Sequence, residues 1–234
     1  ISHDEVVHMK GSLMGKMPGD EALKAAGVRA FYSYILMHPG KKLVFMGAEL
    51  GQINEWHFEG ELDWFLLQQP LHRQLRDFFR ASNRFYLDAK ELWEVDFSWE
   101  GFEWIVPDDS TNNVVVFLRK DKKGKELVCV VNFSPVELHD YRFGVPQKKE
   151  YREIFNSDLP AFGGTGAGNE KPVRTEWVPS HGFPCSIAVT IPPMSGIVLR
   201  GEGYLRLPKN MAADPKLAAA KKPPRKGVVE IKSK

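Results

Sequence analysis

The stretch NVVVFLRKDKKGKELVCVVNF, residues 113–133, decides how this chain is read. Two short apolar runs, Val114–Leu118 and Leu127–Phe133, flank the turn signal Asp121-Lys122-Lys123-Gly124. β-branched runs separated by polar, glycine-containing turns predict strands. The same grammar extends outward through Phe102–Val106, Tyr151–Phe155, Arg174–Val178, Ser186–Ile191 and Gly196–Arg200, with Pro192-Pro193 as a further separator. Short strands with no helix between them predict an antiparallel β-sandwich of about a hundred residues, placed at residues 95–205. The glycine-rich segment Gly163–Gly168 has no strand leading into it and no helix before Pro172. It is therefore not a phosphate-binding loop and is expected to be a flexible connection. Trp93, Trp99 and Trp104 are expected at the seam with the region before them.

That earlier region, residues 1–94, follows a different pattern. Ile1-Ser2 reads as the end of a strand. Asp20 is an N-cap candidate, and Leu23, Ala26, Ala30, Phe31, Tyr34 and Ile35 recur at helical spacing. His38-Pro39-Gly40 ends that helix. Lys42–Met46 (KLVFM) is a continuous apolar run, as expected of a strand buried on both faces. A second helix carries Leu71, Leu75, Phe78, Phe79, Phe85 and Tyr86 on one face. Strand-end, helix, strand, helix predicts one and a half βα units, so the fold class is α/β followed by all-β.

Composition excludes several classes. The chain has 234 residues, 43% hydrophobic and 26% charged, with a mean hydropathy of −0.33, which are globular values. No apolar run approaches the ~18–20 residues of a membrane span, and no membrane partner is expected. The first ten residues, ISHDEVVHMK, contain no apolar core of a signal peptide. The chain opens on Ile1 and not on methionine, which raises the expectation of sequence upstream. Two cysteines, Cys129 and Cys185, are too few for a disulfide framework, so a reducing, cytoplasmic setting is expected. From Arg206 to Lys234 there are nine Lys/Arg against Asp214 and Glu230, while residues 1–205 carry a balance of −5. The mildly acidic body gives no reason to expect nucleic acid. The basic segment 206–234 reads as a solvated tail.

Chemistry-bearing residues are sparse. The histidines lack metal-site spacing, so no metal is expected. No Gly-x-Ser-x-Gly elbow supports acyl transfer. In α/β barrels the reacting groups sit at the C-terminal ends of strands and in the loops after them. His3-Asp4-Glu5 and Glu49 occupy such positions. Asp4 and Glu5 do not suit a glycosidase carboxylate pair, because neighbours in an extended chain diverge. One carboxylate beside a histidine is better suited to gripping sugar hydroxyls, although the dipeptide by itself reads far more readily as a cap, turn or surface pair. Trp56, Phe58, Trp64 and Phe65 could stack on sugars or cover a barrel rim.

Three blocks make the reading specific. Ser2-His3-Asp4-Glu5-Val6-Val7-His8, Lys16-Met17-Pro18-Gly19-Asp20, and Phe45 to Gln52 with Glu55-Trp56 and Leu62-Asp63-Trp64 resemble the end of the catalytic barrel of bacterial glycogen branching enzymes. Val131-Asn132-Phe133-Ser134-Pro135, His139 to Pro146 (HDYRFGVP) and Asn156-Ser157-Asp158 resemble the C-terminal domain of the same family. The resemblance implies the C-terminal part of a (β/α)8 barrel over residues 1–94, followed by the all-β domain. It implies a retaining glucan transferase without cofactor, monomeric when whole, that moves an α-1,4-glucan segment to a 6-hydroxyl. His3 and Asp4 fall on the pair that holds the glucose hydroxyls. The nucleophile and acid/base belong to earlier strands that this chain does not contain. Trp56 and Glu49 are expected as outer substrate contacts at the rim. Met9 stands where the motif more usually has glycine. Outside this reading lie a non-catalytic glucan-binding module and a related hydrolase, the latter opposed by the MPGD and HDYRFGVP segments.

Overall fold

A computed structural model of the chain describes residues 1–206; the expected basic tail lies, Arg206 apart, outside the described residues. Two long helices, α2 (Glu21–Met37) and α3 (Pro70–Asp88), follow a single-turn helix α1 (Leu13–Lys16). The Asp20 carboxylate accepts the Leu23 N–H at 2.9 Å and starts α2, and Pro39 after the cap residue His38 stops it. α3 begins with Pro70, whose missing N–H costs nothing in the first turn.

Eight strands follow: β1 (Phe102–Asp109), β2 (Val114–Lys120), β3 (Glu126–Asn132), β4 (Leu138–Val145), β5 (Glu150–Asn156), β6 (Val173–Arg174), β7 (Cys185–Ile191) and β8 (Ser195–Glu202). All pairings are antiparallel. Six strands form one sheet in the order β1-β2-β3-β8-β5-β6, and β4 pairs with β7 in a second. β4 lies on the HDYRFGV segment, which was not anticipated as a strand. The expected strand Arg174–Val178 is reduced to a two-residue pairing at Val173–Arg174.

The central sheet is apolar on both faces, and the side-chain period of two separates them. Val116, Leu118, Val128, Val130 and Leu199 meet Phe143 and Ile187 of the β4–β7 pair. Phe117, Cys129, Val131 and Val198 belong instead to a core with Val28, Tyr32 and Met37 of α2 and Phe78 of α3. This double burial explains why β2 and β3 read as unbroken apolar runs.

Arg119 makes the main polar joint between these layers. Fully buried on the helix side of β2, it donates to Met37 O at 2.6 Å, Leu92 O at 2.8 Å, Gly101 O at 3.3 Å and Asp96 Oδ1 at 2.8 Å. A second buried pair, Arg29 and Asp158 at 3.7 Å, ties α2 to the loop after β5, and Arg29 also donates to Phe162 O at 3.1 Å.

Four expectations need correction. The βα units are not formed: among the described residues, residues 1–101 contain no strand. Ile1-Ser2 leads into a 3₁₀ turn, and Lys42–Met46 is extended but unpaired, with Leu43 and Met46 about half exposed. A strand exists only through a neighbour's ladder, and no neighbouring strand stands beside this run. The tryptophans do not all form the seam. Trp104 packs edge-on against Phe117 at 5.5 Å while 40% exposed, and Trp99 is 69% exposed. The glycine loop is not a free connection. Asp158 accepts from Thr165 N at 3.1 Å and, through its carbonyl, from Gly166 N at 2.9 Å. A Cβ on Gly164 would lie 2.1 Å from Asp158 O, so glycine is required there by close backbone approach.

Candidate functional site

His3, Asp4 and Glu5 form a one-turn 3₁₀ helix. Its geometry follows from the residues around it. Ser2 donates from both its N–H and its hydroxyl to the Glu5 carboxylate. The Ser2 backbone bond first, then its side-chain bond, holds Glu5 below the ordinary carboxylate range. Glu5 is thereby folded back onto its own turn, so it does not pair with Asp4. The chain here is a tight turn and not the extended segment expected, yet the separation of the two carboxylates stands for this different reason. Two lysines brace the turn: Lys10 Nζ donates to Asp4 O at 2.7 Å, and Lys16 Nζ donates to Glu5 O. With its backbone carbonyl engaged, Asp4 presents its carboxylate outward beside His3, with Nε2 and Oδ1 3.1 Å apart.

The structure brings His3 and Trp56 together. The His3 ring lies 6.4 Å from both Phe45 and Trp56, and those two rings meet edge to face at 5.3 Å. The Trp56 N–H donates to Val6 O at 3.0 Å, which holds the second loop against the first. Ile1, Val6, Met14, Phe45, Gln52 and Trp56 line a narrow crevice beside the turn. A polar pair on one side of an aromatic wall can take a pyranose by its hydroxyls and its C–H face together.

Glu49 is not in this group. It sits on a 3₁₀ turn between Gly47 (φ 85°) and Gly51 (φ 64°), both in the left-handed region that glycine favours. It lines an open depression with Val44, Met46, Leu62, Arg76, Phe79 and Arg80, which His3, Asp4 and Trp56 do not share. Burial first, and then Glu49, push the Tyr32 hydroxyl up to about 12. The 3₁₀ turn that carries Glu49 is fixed from α3, where buried His72 places Nδ1 2.7 Å from Leu50 O.

Sequence reasoning missed Glu55 and Phe45. Glu55 accepts Gly11 N–H at 2.7 Å and Met9 N–H at 3.1 Å, clamping the loop that follows the His-Asp turn. The Gly11 bond is the first cause of its lowered pKa. Its only signal in the sequence was its place before Trp56. Among the described residues, no group of three or more His, Cys, Asp or Glu could hold a metal ion, and no helix is long and apolar enough to cross a membrane.

Met9 and its neighbour His8 (φ 58°) are the strained points of the loop. Met9 is 97% exposed with φ 65°, a backbone region that costs an L-residue about 1–2 kcal/mol. Met9→Gly is expected to raise stability by about 0.5–1 kcal/mol, the relief exceeding glycine's unfolded-state entropy. Chemical denaturation of the two proteins checks this; a loss of stability would show that the methionine side chain has a contact of its own.

The chain is similar to known proteins over most of its length. Residues 104–202 match the family model described as alpha amylase, C-terminal all-beta domain. The chain is 48% identical over 201 residues to the 1,4-alpha-glucan branching enzyme GlgB of Halothermothrix orenii, covering 86% of this chain and 32% of the relative. It is 50% identical over 204 residues to GlgB of Aquifex aeolicus, covering 87% of this chain and 32% of that protein. The chain thus spans about a third of the length of these curated relatives. Among solved structures, Ttha1563 from Thermus thermophilus shares the fold with a TM-score of 0.57 at 18% identity, covering 86% of this chain and 34% of that one. The alpha-amylase of Geobacillus thermoleovorans, solved with acarbose, gives 0.50 at 13% identity, covering 75% and 33%. Residues 104–202 are thus similar to the alpha amylase C-terminal all-beta domain, and over 86% of its residues the chain is similar to a 1,4-alpha-glucan branching enzyme.

Proposed function

We propose that this chain is the C-terminal part of a 1,4-alpha-glucan branching enzyme, working in the cytoplasm as a monomer. In this reading residues 1–94 complete a (β/α)8 barrel and residues 95–205 form the all-β domain packed beside it. Lys42–Met46 then becomes a strand once the rest of the sheet is beside it, which accounts for an apolar run left half exposed.

The whole enzyme cleaves an α-1,4 bond through a covalent glucosyl intermediate and passes the segment to a 6-hydroxyl, so configuration is retained. The nucleophile and acid/base come from strands outside this chain. What this chain contributes is the grip on the reacting glucose. Asp4 accepts two ring hydroxyls and His3 donates to one, bonds that shorten as the ring flattens toward the oxocarbenium-like transition state. Trp56 supplies a ring for a sugar face. Glu49, in its separate depression, is an outer contact at the rim.

The observation that carries the proposal is the His3–Asp4 pair, 3.1 Å apart on a turn braced by Lys10 and Lys16 and backed by Phe45 and Trp56. Linkage analysis after incubating the full-length protein with amylose tests it. New 1,6 linkages are expected; reducing ends without them would make the protein a hydrolase.

A further inference from the structure

The loop after the His3–Asp4 turn is held in a conformation that its residues do not favour. Three of the four residues 8–11 lie in the left-handed region, His8 at φ 58°, Met9 at 65° and Gly11 at 75°. Only the glycine adopts that region without cost. Such strain persists where the surroundings over-determine the backbone, and it gathers at functional sites.

Here the holding contacts come from residues 53–56. Ile53 O accepts the Ser12 hydroxyl at 2.9 Å, and the Trp56 N–H donates to Val6 O at 3.0 Å, so this segment grips the loop at both ends. Between those points Glu55 uses both of its oxygens. Oε2 accepts the Met9 N–H at 3.1 Å, and Oε1 accepts the Gly11 N–H at 2.7 Å. These two amides flank Lys10. With its backbone pinned on either side, Lys10 reaches back and donates from Nζ to Asp4 O at 2.7 Å. A continuous series of bonds thus runs from the Glu55 carboxylate, through the loop, to the carbonyl of Asp4.

We propose that Glu55 is a positioning residue for the transfer reaction: by holding the strained backbone of residues 9–11 it places the Lys10 ammonium on Asp4 O, and so fixes the turn from which Asp4 presents its carboxylate to the sugar. The proposal rests on the glucan-transfer reading above. A carboxylate is what this place requires. Two N–H groups converge on it from one loop, and its two anionic oxygens accept both in charge-assisted bonds. An amide of the same shape offers one oxygen and turns its NH2 toward the second N–H. The turn itself has little packing to direct it, since none of its three residues is buried and the His3 and Asp4 side chains are 57% and 72% exposed. An exposed pair takes its direction from the backbone beneath it. Misplacing a reacting contact by about 1 Å can lower the rate on the order of 10²-fold.

The test is steady-state branching of amylose by the full-length protein and its variants, with melting curves alongside. Glu55→Ala is expected to lower kcat about 10- to 100-fold with KM nearly unchanged. Glu55→Gln should fall between that variant and the wild type. Lys10→Met, which keeps the stem without the ammonium, should lose less than Glu55→Ala but stay below the wild type. A folding defect also lowers kcat, so the coupling with Asp4 is the deciding measurement. In the Asp4→Ala background, Glu55→Ala is expected to add less than about threefold, because the group it positions is gone; a purely structural lesion would multiply through in full. If Glu55→Ala unfolds, the same cycle with Glu55→Gln decides. Wild-type turnover in Glu55→Ala or Lys10→Met, or losses that multiply across the cycle, overturn the positioning role and leave the transferase reading standing. A wild type that forms no 1,6 linkages overturns the transferase reading, and the positioning role with it.

Discussion

Asp4→Ala in the full-length protein is expected to lower turnover about 10²- to 10³-fold, by analogy with the loss of one preorganised transition-state contact, while glucan affinity changes little. The side chain is 72% exposed, and the turn beneath it is held through backbone oxygens by Lys10 and Lys16. Truncation at Asp4 therefore removes little of what supports the fold. In the proposed reading it removes a pair of acceptors whose bonds strengthen as the sugar ring flattens, so the loss is expected to fall on kcat and not on KM. Asp4→Asn, which retains one acceptor and the shape, is expected to lose less, and His3→Ala to be milder still. Steady-state kinetics on amylose, with a melting curve as the folding control, measure all three. Near-normal turnover of Asp4→Ala would remove the pair from the site.

Arg119→Ala is expected to destabilise the protein by about 3–5 kcal/mol, the cost of leaving a buried partner uncompensated. Three carbonyls and the Asp96 carboxylate converge on this one guanidinium. Its removal strands Asp96 in a site where that side chain is only 7% exposed, and a desolvated carboxylate without a cation is costly. Asp96→Asn is expected to cost less, since Arg119 keeps its three carbonyl partners and the amide oxygen can still accept. In the double variant the two effects should add to less than their sum, because both report one pair. Urea denaturation of the four proteins gives the cycle; a loss below about 1 kcal/mol for Arg119→Ala would mean the joint is carried by packing alone.

The legible parts of the fold are those with local physical causes. Asp20 caps α2 and His38-Pro39 ends it because a helix terminus must satisfy its own N–H groups and tolerate its neighbours. The strands β1, β2, β3, β5, β7 and β8 stand within a few residues of the runs that announced them. β4 escaped because HDYRFGV mixes charged and apolar residues, its first half open to solvent and Phe143, Gly144 and Val145 buried. The order of three motif blocks marked His3, Asp4 and Trp56 as candidates, and the fold places the His3 and Trp56 rings 6.4 Å apart. Glu49 matched a motif equally well, yet the folded chain puts it in another depression, since motif membership says nothing about which way a turn faces.

The limits show most clearly in two unbroken apolar runs. At Val114–Leu118 continuity meant burial on both faces, and the fold supplies a helical layer on one side and the β4–β7 pair on the other. At Lys42–Met46 the same pattern produced no strand, because a strand needs a neighbour's ladder and none stands beside it. Arg119 is the complementary case. Inside the sequence it is one cation at the end of an apolar strand, and its alternation places it on the helix face. Only the packed molecule converges Met37 at the end of α2 and Leu92, Asp96 and Gly101 of the α3–β1 segment upon it. Caps, periods and turns depend on residues within a few positions of one another, so the amino-acid sequence alone determined them here. Strand pairing, the buried ion joint and the direction in which each turn presents its side chains depend on groups tens of residues apart, and only the tertiary structure decided those.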